Sequence, residues 1–252
     1  MPPSRRRRTT TARTRRLSGT SLLLIVLVIA FVWFVLPELQ ERGILAQTGE
    51  GAAGSSAAPV APGSAPGSAP SDAELAALVV ADGDPAAPYD RDLFGAAWAD
   101  VDGNGCDTRN DVLIRDLVDV VFRADSNGCI VRTGRLVDAY TGAVIAFVRG
   151  PDTSEAVQID HVVPLSYAWR HGADAWTPEL RAAFANDPAN LQAVDGPTNQ
   201  SKSDSGPGEW MPPAAAYACA YVDRFAGVLA AYDLTVAPAD YDAMVRVEAG
   251  CG

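Results

Sequence analysis

The chain is poor in the residues that usually announce a catalytic centre. It has two histidines, His161 and His171, in 252 residues, which argues against a histidine-rich zinc site. Its four cysteines, Cys106, Cys129, Cys219 and Cys251, lack the close pairing of zinc ligands. No Gly-x-Ser-x-Gly elbow and no His-Glu-x-x-His helix occurs, so a serine or zinc hydrolase of esters or peptides finds no support. Positive charge is also scarce where it would matter. Of the 20 basic residues, seven (Arg5, Arg6, Arg7, Arg8, Arg13, Arg15 and Arg16) stand before residue 17, leaving 13 against 31 acidic ones, a formal −18. That balance disfavours tight non-specific binding to a nucleic-acid backbone, which uses a basic stripe.

Composition divides the chain into four pieces. Residues 1–16 form a basic, polar tip. Residues 17–36 are apolar, without interruption from Leu22 to Leu36. Twenty helical residues at ~1.5 Å each reach ~30 Å, enough to span a bilayer core. No good small-x-small cleavage site follows, since Ile44 spoils the one ending at Ala46, and Trp33 suits an interfacial position. The segment therefore reads as an uncleaved signal anchor, with the arginines in the cytoplasm and the rest of the chain outside the cell membrane. Cleavage would instead release a secreted protein. Residues 37–72 drift into Gly, Ala, Pro and Ser, including the repeat from Ala61 to Pro70, and read as a disordered linker. Residues 73–252 have the mixed composition of one globular domain.

An even cysteine count in an exported domain predicts two disulfides. Of the three connectivities, Cys106–Cys129 and Cys219–Cys251 are expected, because each pair brackets a helical unit.

Hydrophobic spacing predicts helices over 72–80, 111–122, 176–185, 217–232 and 238–248. Thr108 or Asn110 would cap the second; Thr177 would cap the third, with Pro178 at its first position. Residues 129–138 read as a strand, a turn near Gly134 and a second strand, and 144–148 as another strand. Helices thus flank a small β unit, an α+β arrangement. His171, in Arg170-His171-Gly172, reads as a surface residue near a helix end.

The densest cluster of chemistry-bearing residues lies further on. Val157 to His161 is an apolar strand closed by Asp160-His161; Ala189 to Val194 would be a second strand; Thr198 to Ser203 would open a helix. Taken singly these residues have plain readings. An Asp-His pair at a strand end is a hydrogen-bonded turn, Asn190 a loop residue, Asn199 a helix cap and Lys202 a solvated charge. As an ordered set they resemble the HNH, or ββα-metal, endonuclease superfamily. More closely, the chain resembles the C-terminal domain of GmrSD-type restriction endonucleases and their exported actinobacterial relatives. The motifs are Asn104-Gly-Cys-Asp-Thr-Arg-Asn110, Asp138-Ala-Tyr-Thr-Gly142, Gln158-Ile-Asp-His-Val-Val-Pro-Leu165, Asn186-Asp-Pro-Ala-Asn-Leu191, Asn199-Gln-Ser-Lys202 and Trp210-Met-Pro-Pro213.

The resemblance implies a ββα-metal core within a mostly helical domain, and roles for its residues. His161 would be the general base, Asp160 and Asn199 metal ligands, Asn190 the residue that orients His161, and Lys202 a phosphate contact. Asn199 stands where many superfamily members carry His. Hard oxygen ligands favour Mg²⁺, or Mn²⁺, over zinc. The implied activity is phosphodiester hydrolysis outside the cytoplasm, on DNA in preference to RNA. A metal ion with a few local cations suffices for such an enzyme, so the acidic balance does not exclude it. The competing reading is a non-catalytic, disulfide-stabilised envelope module of the same fold.

One more segment has metal-ligand spacing. Asp100, Asp102 and Asn104 fit the first half of a calcium loop, with Asp111 at its twelfth position where Glu is usual. The same residues also make an ordinary turn. Asp107, Arg109 and Asn110 would come along as lining of the cleft.

Overall fold

A computed structural model describes residues 72–251. The basic tip, the apolar segment and nearly all of the linker lie outside the described residues. Within them no helix is long and apolar enough to cross a membrane.

The described chain is α+β. Helix α1 (Asp72–Ala77) leads through a 3₁₀ turn at Arg91–Phe94 to α2 (Thr108–Asp116). Strands β1 (Leu117–Phe122), β2 (Val131–Val137) and β3 (Val144–Val148) form an antiparallel sheet in that order. Strand β4 (Val157–His161) follows, then α3 (Leu165–Arg170) and α4 (Pro178–Ala185). Strand β5 (Leu191–Asp195) pairs antiparallel with β4 and runs directly into α5 (Gly196–Lys202). Helices α6 (Ala218–Ala231) and α7 (Pro238–Glu248) close the order.

Two expectations about secondary structure need correction. The apolar run expected as one helix over 111–122 splits. Its helical half starts earlier, at Thr108, because the Asp107 carboxylate caps the Asn110 amide at 2.8 Å. Its second half, Leu117-Val-Asp-Val-Val-Phe, is β-branched and pairs with β2 instead. Nor is there a turn at Gly134. That residue sits inside a continuous strand opposite Phe147. Its role is close approach: a Cβ there would meet the Leu117 side chain at 3.0 Å.

Both expected disulfides, Cys106–Cys129 and Cys219–Cys251, are present. Helices α4, α6 and α7 also lie where the spacing put them, and Thr177 caps α4.

Buried apolar side chains fall into two clusters. One gathers α2, the three-stranded sheet and Val157, Ile159, Leu191 and Ala193 from one face of the β4–β5 hairpin. The other is helical and aromatic, built on Tyr140, Trp169, Phe184, Tyr221 and Phe225, with Val162, Val163 and Val194 from the hairpin side. The hairpin therefore lies between two cores. Alternation along β4 turns Val157 and Ile159 one way and Gln158 and Asp160 the other, toward α5.

His171 is a further correction. It does cap the end of α3, but it is buried. Its ring stacks on Tyr167 at 4.3 Å and its Nδ1 lies 3.0 Å from the Thr235 hydroxyl. Burial pushes its pKa below the usual histidine value, with Arg170 adding to the effect.

Candidate active site

The hairpin and α5 place the expected residues around one open cleft of about 370 Å³, whose walls include Arg91, Gln158, Asp160, His161, Asn199 and Asp204. Helix α5 begins without a linker because Asp195, the last residue of β5, caps it by accepting from the Thr198 amide (2.8 Å) and hydroxyl (2.6 Å). Gly196 is required at this corner, since any Cβ would collide with the Glu155 carbonyl oxygen. Asn199 and Lys202, three residues apart, share one face of the helix. They meet Gln158 and Asp160, two residues apart on one face of β4.

His161 ends β4 opposite Leu191. Its Nε2 lies 2.8 Å from the Ala185 carbonyl oxygen. A carbonyl only accepts, so Nε2 carries the hydrogen and Nδ1 holds the ring's lone pair. Burial pushes the imidazole pKa down to about 4; the Ala185 bond opposes this and is outweighed. The ring is therefore a neutral base across the ordinary pH range. The Trp98 indole lies parallel to it, 6.5 Å away between centroids. Trp98 itself holds a positive φ of 59°.

Asn190 is wholly buried and clamps the segment that follows His161. Its Oδ1 accepts from the Val163 amide at 2.8 Å, its Nδ2 donates to the Val163 carbonyl at 3.1 Å, and its backbone oxygen accepts from Val162. It touches the loop and not the imidazole. Two arginines hold the approach to Asn190 from opposite elements. Arg115 of α2 and Arg224 of α6 both donate to the carbonyls of Pro188 and Leu191.

Asp160 has the most crowded surroundings. Lys202 Nζ lies 3.0 Å from its Oδ1 and 2.9 Å from its Oδ2, and donates to the His161 carbonyl at 2.8 Å. Burial pulls the Lys202 pKa below the usual lysine value, and the Asp160 carboxylate in contact with it opposes this and favours the ammonium. Lys202 is 0 % exposed and Asp160 5 %. Tyr140, also fully buried, donates to Asp160 Oδ2 at 2.5 Å. Burial holds that phenol well above its usual pKa, so it remains a donor. The Trp210 indole packs on Tyr140 at 5.1 Å and donates to Ser201 of α5, tying helix and phenol together. Asp138 fixes the Tyr140 turn by accepting from Thr141 and from the Asp195 amide.

Lys202, expected to reach a phosphate, is thus enclosed on Asp160. The sequence held a signal for this: Lys202 is the only lysine among 20 basic residues. A compact ammonium fits a closed site that a forked guanidinium would not. Tyr140 lay within a motif of the resemblance but carried no expected role.

Asn199 donates through Nδ2 to Gln158 Oε1 at 2.9 Å. Its carboxamide oxygen has no hydrogen-bond partner among the described residues. The donor set can be tested against a divalent cation. A carboxylate offers about four lone-pair sites. Lys202 and Tyr140 take three at Asp160, leaving room for one more contact. One carboxylate and one amide oxygen, with water completing the shell, suit Mg²⁺ or Mn²⁺. His161 and Asp160 alone make no three-ligand zinc cage, and among the described residues no group of three His, Cys, Asp or Glu side chains does.

The residues expected as a calcium loop lie upstream. Asp100, Asp102, Asn104 and Asp111 do come together, but Asn104 closes the turn itself. Its Oδ1 accepts from the Cys106 amide at 2.7 Å, which turns its NH₂ toward Asp102 and Asp111. Asp100 accepts from the Asn104 and Gly105 amides. Nearby, Asp107 caps α2, Asn110 bonds to Val131 and Arg149, and Arg109 lies over the Trp98 ring at 6.0 Å.

The family model for the C-terminal domain of GmrSD restriction endonucleases matches residues 107–247. The chain belongs to this family. The GmrSD C-terminal match runs from the cap of α2 to α7 and includes the whole hairpin, α5, Tyr140 and Trp210; of the cleft walls only Tyr89 and Arg91 precede it. An uncharacterized secreted protein of Arthroderma benhamiae is 37% identical over 179 residues, covering 70% of this chain and 82% of its own length. No solved structure matches the chain.

Proposed function

We propose that this GmrSD C-terminal domain is a metal-dependent endonuclease of the HNH type that hydrolyses phosphodiester bonds of nucleic acid, DNA in preference to RNA, outside the cytoplasm. The observation that carries the reading is the meeting of His161, Asp160 and Asn199 in one cleft on a hairpin and the helix that follows it. The family's printed description as restriction endonucleases supports the substrate class. Two disulfides and a relative described as secreted support an exported domain. The anchor expected over 17–36 remains part of this proposal.

In this mechanism His161 Nδ1 takes a proton from the attacking water. The water oxygen bonds to phosphorus, the bond to the 3′ oxygen breaks, and that oxygen is protonated from solvent. The Nε2–H bond to Ala185 fixes the tautomer, so Nδ1 is always the base. Asn190 keeps the chain after His161 in place, as a residue behind the reacting groups does. Asp160 and Asn199 would hold the cation. A bound Mg²⁺ or Mn²⁺ would neutralise charge on the phosphate and the leaving oxygen. Lys202 and Tyr140 fix the Asp160 carboxylate. Plasmid cleavage by the purified full-length chain, with and without a divalent cation, tests the reading.

A further inference from the structure

Charge around the cleft leads one step further, resting on the nuclease reading. The charged groups that face Asp160 are few. Lys202 neutralises it at 2.9 Å. Across the cleft Asp204 is neutralised by Arg170 at 2.8 Å and also accepts from the Ser166 hydroxyl. Arg91 on the third wall adds another positive charge. Of these groups Asp160, Asp204 and Arg91 line the cleft, and each carboxylate is already paired with a cation outside the lining, Lys202 and Arg170. A divalent cation approaching this site alone finds one carboxylate already balanced, with the balancing ammonium in contact behind it. Lys202 cannot swing away to relieve this, because it is enclosed and holds the His161 carbonyl as well. The missing negative charge is what a nucleic-acid backbone carries, one unit per phosphate.

We infer that Lys202 is a positioning residue that keeps the site from holding a divalent cation on its own, so that cation and nucleic-acid backbone bind together. Each then raises the affinity for the other by the same factor, since binding linkage is reciprocal. The arrangement would leave the exported enzyme without bound metal until substrate arrives. Tyr140 serves the same carboxylate from the other side without adding charge, so its removal should alter placement but not the coupling.

The test uses the full-length His161→Ala protein, which binds without cutting. Its affinity for a labelled DNA duplex is measured by fluorescence anisotropy in Mn²⁺ and in EDTA. Mn²⁺ binding to the DNA-free protein is measured by electron paramagnetic resonance. We expect DNA to bind at least about tenfold more tightly in Mn²⁺, within the range usual for coupled sites, and Mn²⁺ to bind the DNA-free protein correspondingly weakly. Lys202→Met on the same background should strengthen Mn²⁺ binding without DNA and shrink the coupling; if that variant does not fold, the two measurements on the parent protein decide. Mn²⁺ binding as tight without DNA as with it overturns the inference while leaving a cation-dependent nuclease intact. No effect of Mn²⁺ on DNA binding, together with no plasmid cleavage by the unmutated chain, overturns both.

Discussion

The ammonium of Lys202 and the carboxylate of Asp160 meet where solvent does not reach, at 2.9 Å and with 0 % and 5 % exposure. Removing charges from water is costly, and such a pair is maintained only when both partners are present and otherwise bonded. Here they are, since Tyr140 also donates to the carboxylate and the His161 carbonyl also accepts from the ammonium. The pair joins α5 to β4, and so joins the segment bearing Asn199 to the one bearing His161.

Breaking it should be expensive. Lys202→Met leaves Asp160 buried and uncompensated and is expected to cost about 3–5 kcal/mol. Lys202→Met with Asp160→Asn should recover much of that loss. Urea unfolding of the three proteins checks this; equal stability of both variants with the parent would show that the pair is open to water.

Asn190→Ala removes both bonds to Val163 and leaves a buried amide and carbonyl unpaired. A loss of roughly 2–6 kcal/mol follows from about 1–3 kcal/mol for each unsatisfied group. Because Asn190 touches the loop and not the cation ligands, the folded variant should lose cleavage rate while keeping cation-dependent DNA binding. Anisotropy and nicking on one preparation separate the two; loss of both in parallel would place Asn190 in the binding site itself.

The hairpin–helix unit was legible because it is local: a short apolar strand, an Asn-Leu start to the next and a helix close behind it; the Asp195 cap, which starts that helix at Gly196 and not at Thr198, was missed. What escaped depended on partners far along the chain. Leu117 to Phe122 is a strand because β2 is beside it, and Gly134 stays extended because Leu117 crowds it. His171 is buried because Tyr167 and Thr235, distant from one another in sequence, enclose it. Lys202 read as a phosphate contact because no rule within α5 says that a buried Asp160 lies opposite.

The two histidines also set a pH dependence of stability. Both have folded pKa values below the unfolded value of about 6.5. The unfolded chain therefore binds more protons as pH falls through that value, so stability is full above it and declines below. For His161 the decline continues toward pH about 4. Thermal midpoints should fall steadily between about pH 7 and about pH 5. The His171→Gln variant should show a shallower fall, and an unchanged slope would show that His171 titrates normally.

The Cys219–Cys251 bridge ties α6 to the end of α7. Replacing both cysteines with alanine should cost about 2–5 kcal/mol. Mass spectrometry of the unreduced protein should find no free thiol. A free thiol would contradict the pairing that contains it.

The central claim is that His161, Asp160 and Asn199 act together on a phosphodiester bond, and plasmid nicking tests it most directly. The purified full-length chain should nick supercoiled DNA in Mg²⁺ or Mn²⁺ and stop in EDTA. The His161→Ala variant, folded by circular dichroism, should lose at least about a hundredfold in rate, the usual contribution of a general base. Equal nicking by parent and variant, or nicking indifferent to EDTA, would contradict the account.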